Sequence, residues 1–260
     1  MKTENINQNL VHKESCVFFT IVDDRYYHPV GTEILINSFK KFHPDIDLVI
    51  FRQDMIDKVF SEKHVNFYNA KPTFAKLLVP HYDRVVNIDA DSIILGKLDE
   101  IIEGDYDVGC PTNYNDYENM SLEDITEKQF VQAGLVASSN PKFWDIWELA
   151  NKEAMKYPAQ ENSILNLLWY HDPIVSKMKL KIFDQDKDYY GCKSLNREKE
   201  FYIKDGKVMC RGEQVFCYHV AKGGANMPKF QFEKMGFTDE VIEHMLYLGY
   251  YGSSLRLGGT

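Results

Sequence analysis

The chain has 260 residues, 44% hydrophobic and 27% charged, with a formal net charge of −9. A chain of this length buries roughly 70–75% of its unfolded surface, so one sizeable core forms without staples, and the composition is that of a globular protein. The acidic balance, with no long Lys/Arg cluster, argues against nucleic acid as a partner, and no run of about 18 apolar residues marks a transmembrane segment.

In chain order, "CVFFTIV" is a short apolar run of β-branched and aromatic residues, bounded by Asp23 and Asp24, and predicts a buried strand. "HPVGTEILINSFKKFHP" carries Ile34, Leu35, Ser38, Phe39 and Phe42 at helical spacing and stops at Pro44. A second strand ("DIDLVIF"), a helix ("RQDMIDKVFSE") and a third strand ("HVNFYN") follow. Next come a helix "TFAKLLVPHY", stopped near Pro80, and a strand "DRVVNIDA". This alternation predicts an α/β fold, a mostly parallel sheet flanked by helices, with ligands at the carboxyl ends of the strands.

The second half is less regular. "YDVGCPT" and "QFVQAGLVASS" predict strands, and "PKFWDIWELANKEAMKY" predicts a helix with Phe143, Trp144, Trp147 and Leu149 on its apolar side. "ENSILNLLWYH" predicts another helix, with short strands around "LKIFD" and "QVFCYHVA". With no repeat, Pro-rich linker or composition break, residues 1–260 are expected to form one domain, loose at 1–15 and 252–260. Five cysteines (Cys16, Cys110, Cys192, Cys210, Cys217) without C-x-x-C spacing fit free thiols in a reducing compartment. The opening "MKTENINQNLVHKES" lacks the apolar stretch of a signal peptide, so the expected location is cytoplasmic.

One stretch needs a chemical explanation. "VVNIDADSIIL" sets Asp89 and Asp91 one residue apart between apolar runs, where ionised carboxylates are costly. In extended chain an i, i+2 pair points to one side, and a hard divalent cation such as Mn²⁺ or Mg²⁺ relieves the repulsion between the two acids. The plainer alternative is a pair of turn residues after a strand. His219 is read either as a ligand, at a strand end before Gly223 and Gly224, or as a satisfied strand histidine. Lys76, Lys222 and Lys229 are candidate phosphate contacts, each otherwise a solvated surface charge.

Five segments, "FTIVDDRYY", "TFAKLLVPHYDRVVNIDADSIILGKLDEI", "FVQAGLVASSNPKFW", "ENSILNLLW" and "YHVAKGGANMPKF", occur in the order seen in family 8 glycosyltransferases. The chain resembles that family over roughly residues 16 to 230. The resemblance implies a single-domain GT-A (Rossmann-like) fold that binds a nucleotide-sugar donor, usually a UDP-sugar, through Mn²⁺ and transfers the sugar with retention. It implies that Asp89 and Asp91 are the D-x-D metal ligands and His219 the third. Asp23 and Tyr26 would hold the uridine, with Thr20 nearby at the strand end, and Lys76 would face the phosphates and sugar. Ala133 and Gly134 match an Asn-Ala-Gly turn at the donor sugar, with Gln132 in place of the asparagine. Glu161 and Asn162 stand for an Asp-Gln pair close to the reacting sugar. The family's last motif has shorter spacing than His219, Gly223, Gly224, Lys229 and Phe230 show here, which leaves Lys222 or Lys229 for the diphosphate.

Two other functions share parts of this pattern. A haloacid-dehalogenase-type phosphatase also uses D-x-D after an apolar strand, but there the motif ends the first strand, whereas 88 residues precede it here. An inactive, nucleotide-sugar-binding paralogue would keep the pocket without turnover. The acceptor is expected to be a glycan, a lipid-linked sugar or a protein, met by loops within Asn113–Lys128 and Asp184–Lys207.

Overall fold

The computed structural model describes residues 14–22, 29–60, 67–112, 130–154, 161–183, 190–192, 198–219, 233 and 236–251. The first strand, β1 (Glu14–Val22), is the apolar run expected, and its lack of alternation follows from burial on both faces. Val17, Phe19 and Ile21 enter one core and Cys16 and Phe18 the other. Helix α1 (Pro29–Phe42), strand β2 (Asp47–Arg52) and helix α2 (Gln53–Val59) follow as predicted. The expected strand "HVNFYN" is not formed over its described part. Phe67–Ala70 is a 3-10 turn that runs directly into α3 (Lys71–Leu78). Pro72, in the first helical turn where no N–H is needed, starts this helix two residues ahead of the expected Thr73.

Strand β3 (Tyr82–Ile88) ends at the paired aspartates, and β4 (Ser92–Ile94), α4 (Asp99–Glu103) and β5 (Val108–Pro111) come next. The predicted strand "QFVQAGLVASS" is shorter than expected. β6 covers Leu135–Ser138, Val131 makes an isolated bridge to Thr112, and Ala133–Gly134 is a turn. Helices α5 (Pro141–Ala154) and α6 (Glu161–His171) and strand β7 (Leu180–Phe183) complete the main sheet. Its order is β2-β1-β3-β6-β5-β7, with β6 antiparallel to both neighbours and every other pairing parallel. This is the mixed, mostly parallel α/β sheet expected.

One face of the sheet carries α2, α3, α5 and α6 around Phe74, Phe143, Trp144, Trp147 and Trp169, and the other carries α1 and α4 around Phe18, Phe39, Leu98 and Ile101. Leu149 does not belong to the apolar side of α5. It is 64% exposed, because the 3.6-residue period carries it to the face opposite Phe143 and Trp147. A second small sheet, β4-β12-β8, pairs β4 with β12 (Cys217–His219) and β8 (Tyr190–Cys192). Strands β9 (Phe201–Lys204), β10 (Lys207–Cys210) and β11 (Glu213–Gln214) form a third, with positive φ at Asp205 and Gly206 turning its first hairpin. Helix α7 (Asp239–Leu246) closes a core of Ile93, Phe201, Tyr218, Phe237 and Met245. Among the described residues, no helix is long and apolar enough to cross a membrane.

Two buried polar groups, Ser38 of α1 and His43 just after it, fix the chain just after the aspartates. Ser38 Oγ accepts the Ile94 N–H at 3.0 Å, and His43 Nε2 accepts the Leu98 N–H at 3.0 Å. A second anchor is Arg84 of β3, whose guanidinium donates to the carbonyls of Ile101, Ile102, Gly104 and Tyr106 at the end of α4. His43 can accept only while neutral. Burial lowers its pKa from 6.5, with Asp99 opposing and Lys97 reinforcing the shift. Folded His43 therefore takes up its proton less readily than the unfolded chain. Its contribution to stability is complete above pH 6.5 and is lost as pH falls through the folded-state pKa. Urea midpoints taken between pH 7.5 and 5.5 should fall more steeply for the wild type than for His43→Gln, by at most about 1.4 kcal/mol per pH unit. Parallel slopes would exclude the neutral-acceptor role.

Candidate functional site

The chain between β3 and β4 is the short turn Asp89-Ala90-Asp91. The Asp89 N–H donates to the Gly134 carbonyl at 2.8 Å, and the Ser92 N–H donates to the Asp89 carbonyl at 3.1 Å. Antiparallel pairing of β4 with β12 sets His219 opposite Ser92, beside the turn. His219 Nε2 lies 2.9 Å from Asp91 Oδ1 and 3.6 Å from Asp89 Oδ2. One ligand atom from each of Asp89, Asp91 and His219 fits within 4.8 Å of the others. Burial opposes ionisation of Asp91, but His219 outweighs it and holds the carboxyl below its usual range. Two carboxylate oxygens and an imidazole nitrogen in this spacing fit a hard or borderline divalent cation such as Mn²⁺ or Mg²⁺.

A residue that the sequence did not single out joins this group. Lys71, the first residue of α3, is 2% exposed, and its Nζ lies 2.7 Å from Asp89 Oδ1 and 3.0 Å from Glu161 Oε2, and donates to the Ala133 carbonyl at 3.0 Å. Burial disfavours the ammonium, but Asp89 and Glu161 more than reverse that and hold it charged. Glu161, the first residue of α6, is pushed upward by burial against the pull of Lys71. Lys76 is placed elsewhere. Five residues on, it points to a different face of α3 and pairs with Asp145 at 2.9 Å and Glu148 at 2.8 Å on α5. The lysine that meets the aspartates is therefore Lys71, at the helix start that sequence placed two residues too late.

The turn before β6 is held by side chains as well as by backbone pairing at Val131 and Gln132. Asn162 Oδ1 accepts the Ala133 N–H at 2.8 Å. Asn166 Oδ1 accepts the Val131 N–H at 2.9 Å, and its Nδ2 donates at 2.7 Å to both the Val131 and Asn162 carbonyls. Asn87 Nδ2 donates to the Ala133 carbonyl at 3.2 Å, and the Gln132 N–H donates to the Pro111 carbonyl at 2.9 Å. Gln132, Ala133, Gly134, Glu161 and Asn162 are thus brought together beside Asp89. The oxygen of Asn162, however, is spent on the turn.

Thr20 lies inside β1, two residues short of its end, fully buried and paired in register with Ile50. Asp23, Tyr26, Lys222, Gly223, Gly224 and Lys229 lie outside the described residues. Asn87 and Asn166 carry a common signal, a polar residue set inside an apolar pattern ("VVNI", "ILNLL"), whereas Lys71 carries only its place before Pro72 at a helix start.

No family model and no curated protein sequence matches the chain. By structure it is similar to the WbbM bifunctional glycosyltransferase (TM-score 0.52, 17% identity, covering 91% of this chain and 52% of that one). It is also similar to a glycosyltransferase involved in the glycosylation of the major capsid of PBCV-1 (0.54, 9%, 85% and 98%). A third neighbour is an active-site mutant of LgtC (0.53, 12%, 88% and 99%). The structural neighbours are glycosyltransferases, and the chain has their GT-A fold, spanning about half the length of WbbM.

The triple anchor made by Asn166 yields a stability expectation. Asn166→Leu removes three buried hydrogen bonds and strands both polar groups of Val131, so unfolding in urea should show a loss of about 2–4 kcal/mol. A loss below about 0.5 kcal/mol would mean that the turn holds its shape without this side chain.

Proposed function

We propose that this chain is a metal-dependent glycosyltransferase that moves a sugar from a nucleotide-sugar, UDP-linked, to a hydroxyl of a glycan, lipid-linked sugar or protein, with retention of anomeric configuration. The observation that carries this is the convergence of Asp89, Asp91 and His219 at the carboxyl end of β3 in a GT-A fold. Similarity to the LgtC mutant and to the capsid glycosyltransferase supports the same class.

In this reading Asp89, Asp91 and His219 hold Mn²⁺ or Mg²⁺, which when bound neutralises charge developing on a diphosphate leaving group. His219 Nε2, 2.9 Å from Asp91, would act as a ligand in its unprotonated form. Glu161, set by Lys71 at the start of α6, accepts a hydroxyl of the donor sugar. The Gln132–Gly134 turn, locked by Asn162 and Asn166, forms a rigid wall that orients the ring. Asp23 and Tyr26 hold the base, and Lys222 or Lys229 contacts the diphosphate from the segment after β12.

Asp91→Asn keeps the side chain's size and can still meet His219, so the metal-free melting curve should shift by no more than about 1 kcal/mol in stability. Mn²⁺-dependent release of UDP from the preferred donor should nevertheless fall by two orders of magnitude or more, in line with the loss of a group that stabilises developing charge. UDP at one hundred times its Kd should stabilise the wild type by about 2.7 kcal/mol with Mn²⁺ and far less with a chelator. Near-parental turnover in the variant, or equal stabilisation with and without metal, would return Asp89 and Asp91 to the role of turn residues.

A further inference from the structure

Asp89 turns its two oxygens to two different neighbours. Oδ1 is 2.7 Å from the Lys71 ammonium, while Oδ2 faces His219 at 3.6 Å and is the oxygen left to share an ion with Asp91 and His219. The ammonium is nearly inaccessible to solvent, so water screens it little. It is also immobilised, by Glu161 Oε2 at 3.0 Å and the Ala133 carbonyl at 3.0 Å. An ion in this site therefore sits one carboxylate away from a fixed positive charge. That charge draws on the same aspartate.

We propose that Lys71 is an antagonist of the bound cation. It keeps the intrinsic affinity of the Asp89–Asp91–His219 site low, so that the ion is held firmly only once an anionic diphosphate adds negative charge. The ion and the nucleotide then load together, and the ion leaves when the diphosphate leaves. The identity of that diphosphate rests on the function proposed above; the antagonism itself rests on the geometry of Lys71 alone. A lysine that served only to hold Asp89 in place would act with the opposite sign, since its removal would weaken metal binding.

The test is a titration with Mn²⁺ alone, followed by calorimetry and by water-proton relaxation, of the wild type, His219→Ala and the double variant Lys71→Met with Glu161→Gln. The double change removes the ammonium together with the buried acid Glu161, so that Asp89 is the one acid of the cluster that loses its lysine. Mn²⁺ should bind the double variant about tenfold more tightly than the wild type, as expected where the deleted ammonium lies 2.7 Å from Asp89 and the acid deleted with it offsets part of the gain. Added UDP should then improve Mn²⁺ binding by a smaller factor than in the wild type. If circular dichroism shows the double variant unfolded, Lys71→Met alone carries the same expectation, because it too removes the positive charge beside Asp89. Equal or weaker Mn²⁺ binding in the folded variant, with a His219-dependent site intact in the wild type, overturns the antagonism and leaves the glycosyltransferase reading standing. A wild type with no His219-dependent Mn²⁺ site overturns both.

Discussion

The interaction on which the rest of the site depends is the buried ammonium of Lys71. A lone cation in an apolar interior is costly, and it persists here because two carboxylates and a carbonyl oxygen surround it. The cost runs the other way as well. Asp89 and Glu161 come from separate parts of the chain, the end of β3 and the start of α6, and without the ammonium they would be two acids sharing a poorly solvated corner. One nitrogen atom therefore joins α3, β3, α6 and the turn before β6. Each of these elements has its own packing reasons to form, but Lys71 is where their relative placement is checked by electrostatics.

The reversed strand β6 explains how the turn reaches that corner. In a wholly parallel sheet, the residues leading into a strand lie at the edge away from the ligand-binding ends. Because β6 runs antiparallel to β3, with Ile88 opposite Leu135, its leading residues Val131–Gly134 lie beside the carboxyl end of β3. The Gly134 carbonyl then takes the Asp89 N–H, and the Ala133 carbonyl takes Lys71 and Asn87. The Gln132 N–H and the Gly134 carbonyl find backbone partners at Pro111 and Asp89, and the segment's other backbone groups must still be satisfied. Asn162 and Asn166, one helical turn apart on α6, do that work.

The parts of this arrangement that were legible in the sequence are those with a periodic or local signal. β1, α1, β2, α2, β3, α5, α6 and β7 follow from apolar spacing and flanking breakers, and the proximity of Asp89, Asp91 and His219 agrees with the resemblance. What failed has physical causes. "HVNFYN" has strand-forming residues, but Pro72 begins α3 just beyond it and its described part tightens into a 3-10 turn leading into that helix. That same misplaced boundary left Lys71 outside the expected helix, while Lys76, taken from the resemblance, is turned by α3 toward α5. Gln132 to Gly134 looked like strand because composition does not reveal that side chains from α6 will replace the ladder. Leu149 looked buried by type, and only its helical phase shows otherwise.

On the proposed function, the ion would be exchanged rather than structural. In many structural metal sites the folded state exists only with metal bound. Here every acid of the cluster already has a counter-charge or donor from the chain: Asp91 has His219, and Asp89 and Glu161 have Lys71. Folding would then not need to draw on metal-binding energy. The ligand atoms are close enough to be recruited, yet each must give up or share a partner to bind a cation. Such a site exchanges partners rather than filling a gap, and exchange is what a repeated cycle of binding and release requires. The buried lysine that balances Asp89 and Glu161 is also the group with which, on the proposed function, an arriving cation would compete.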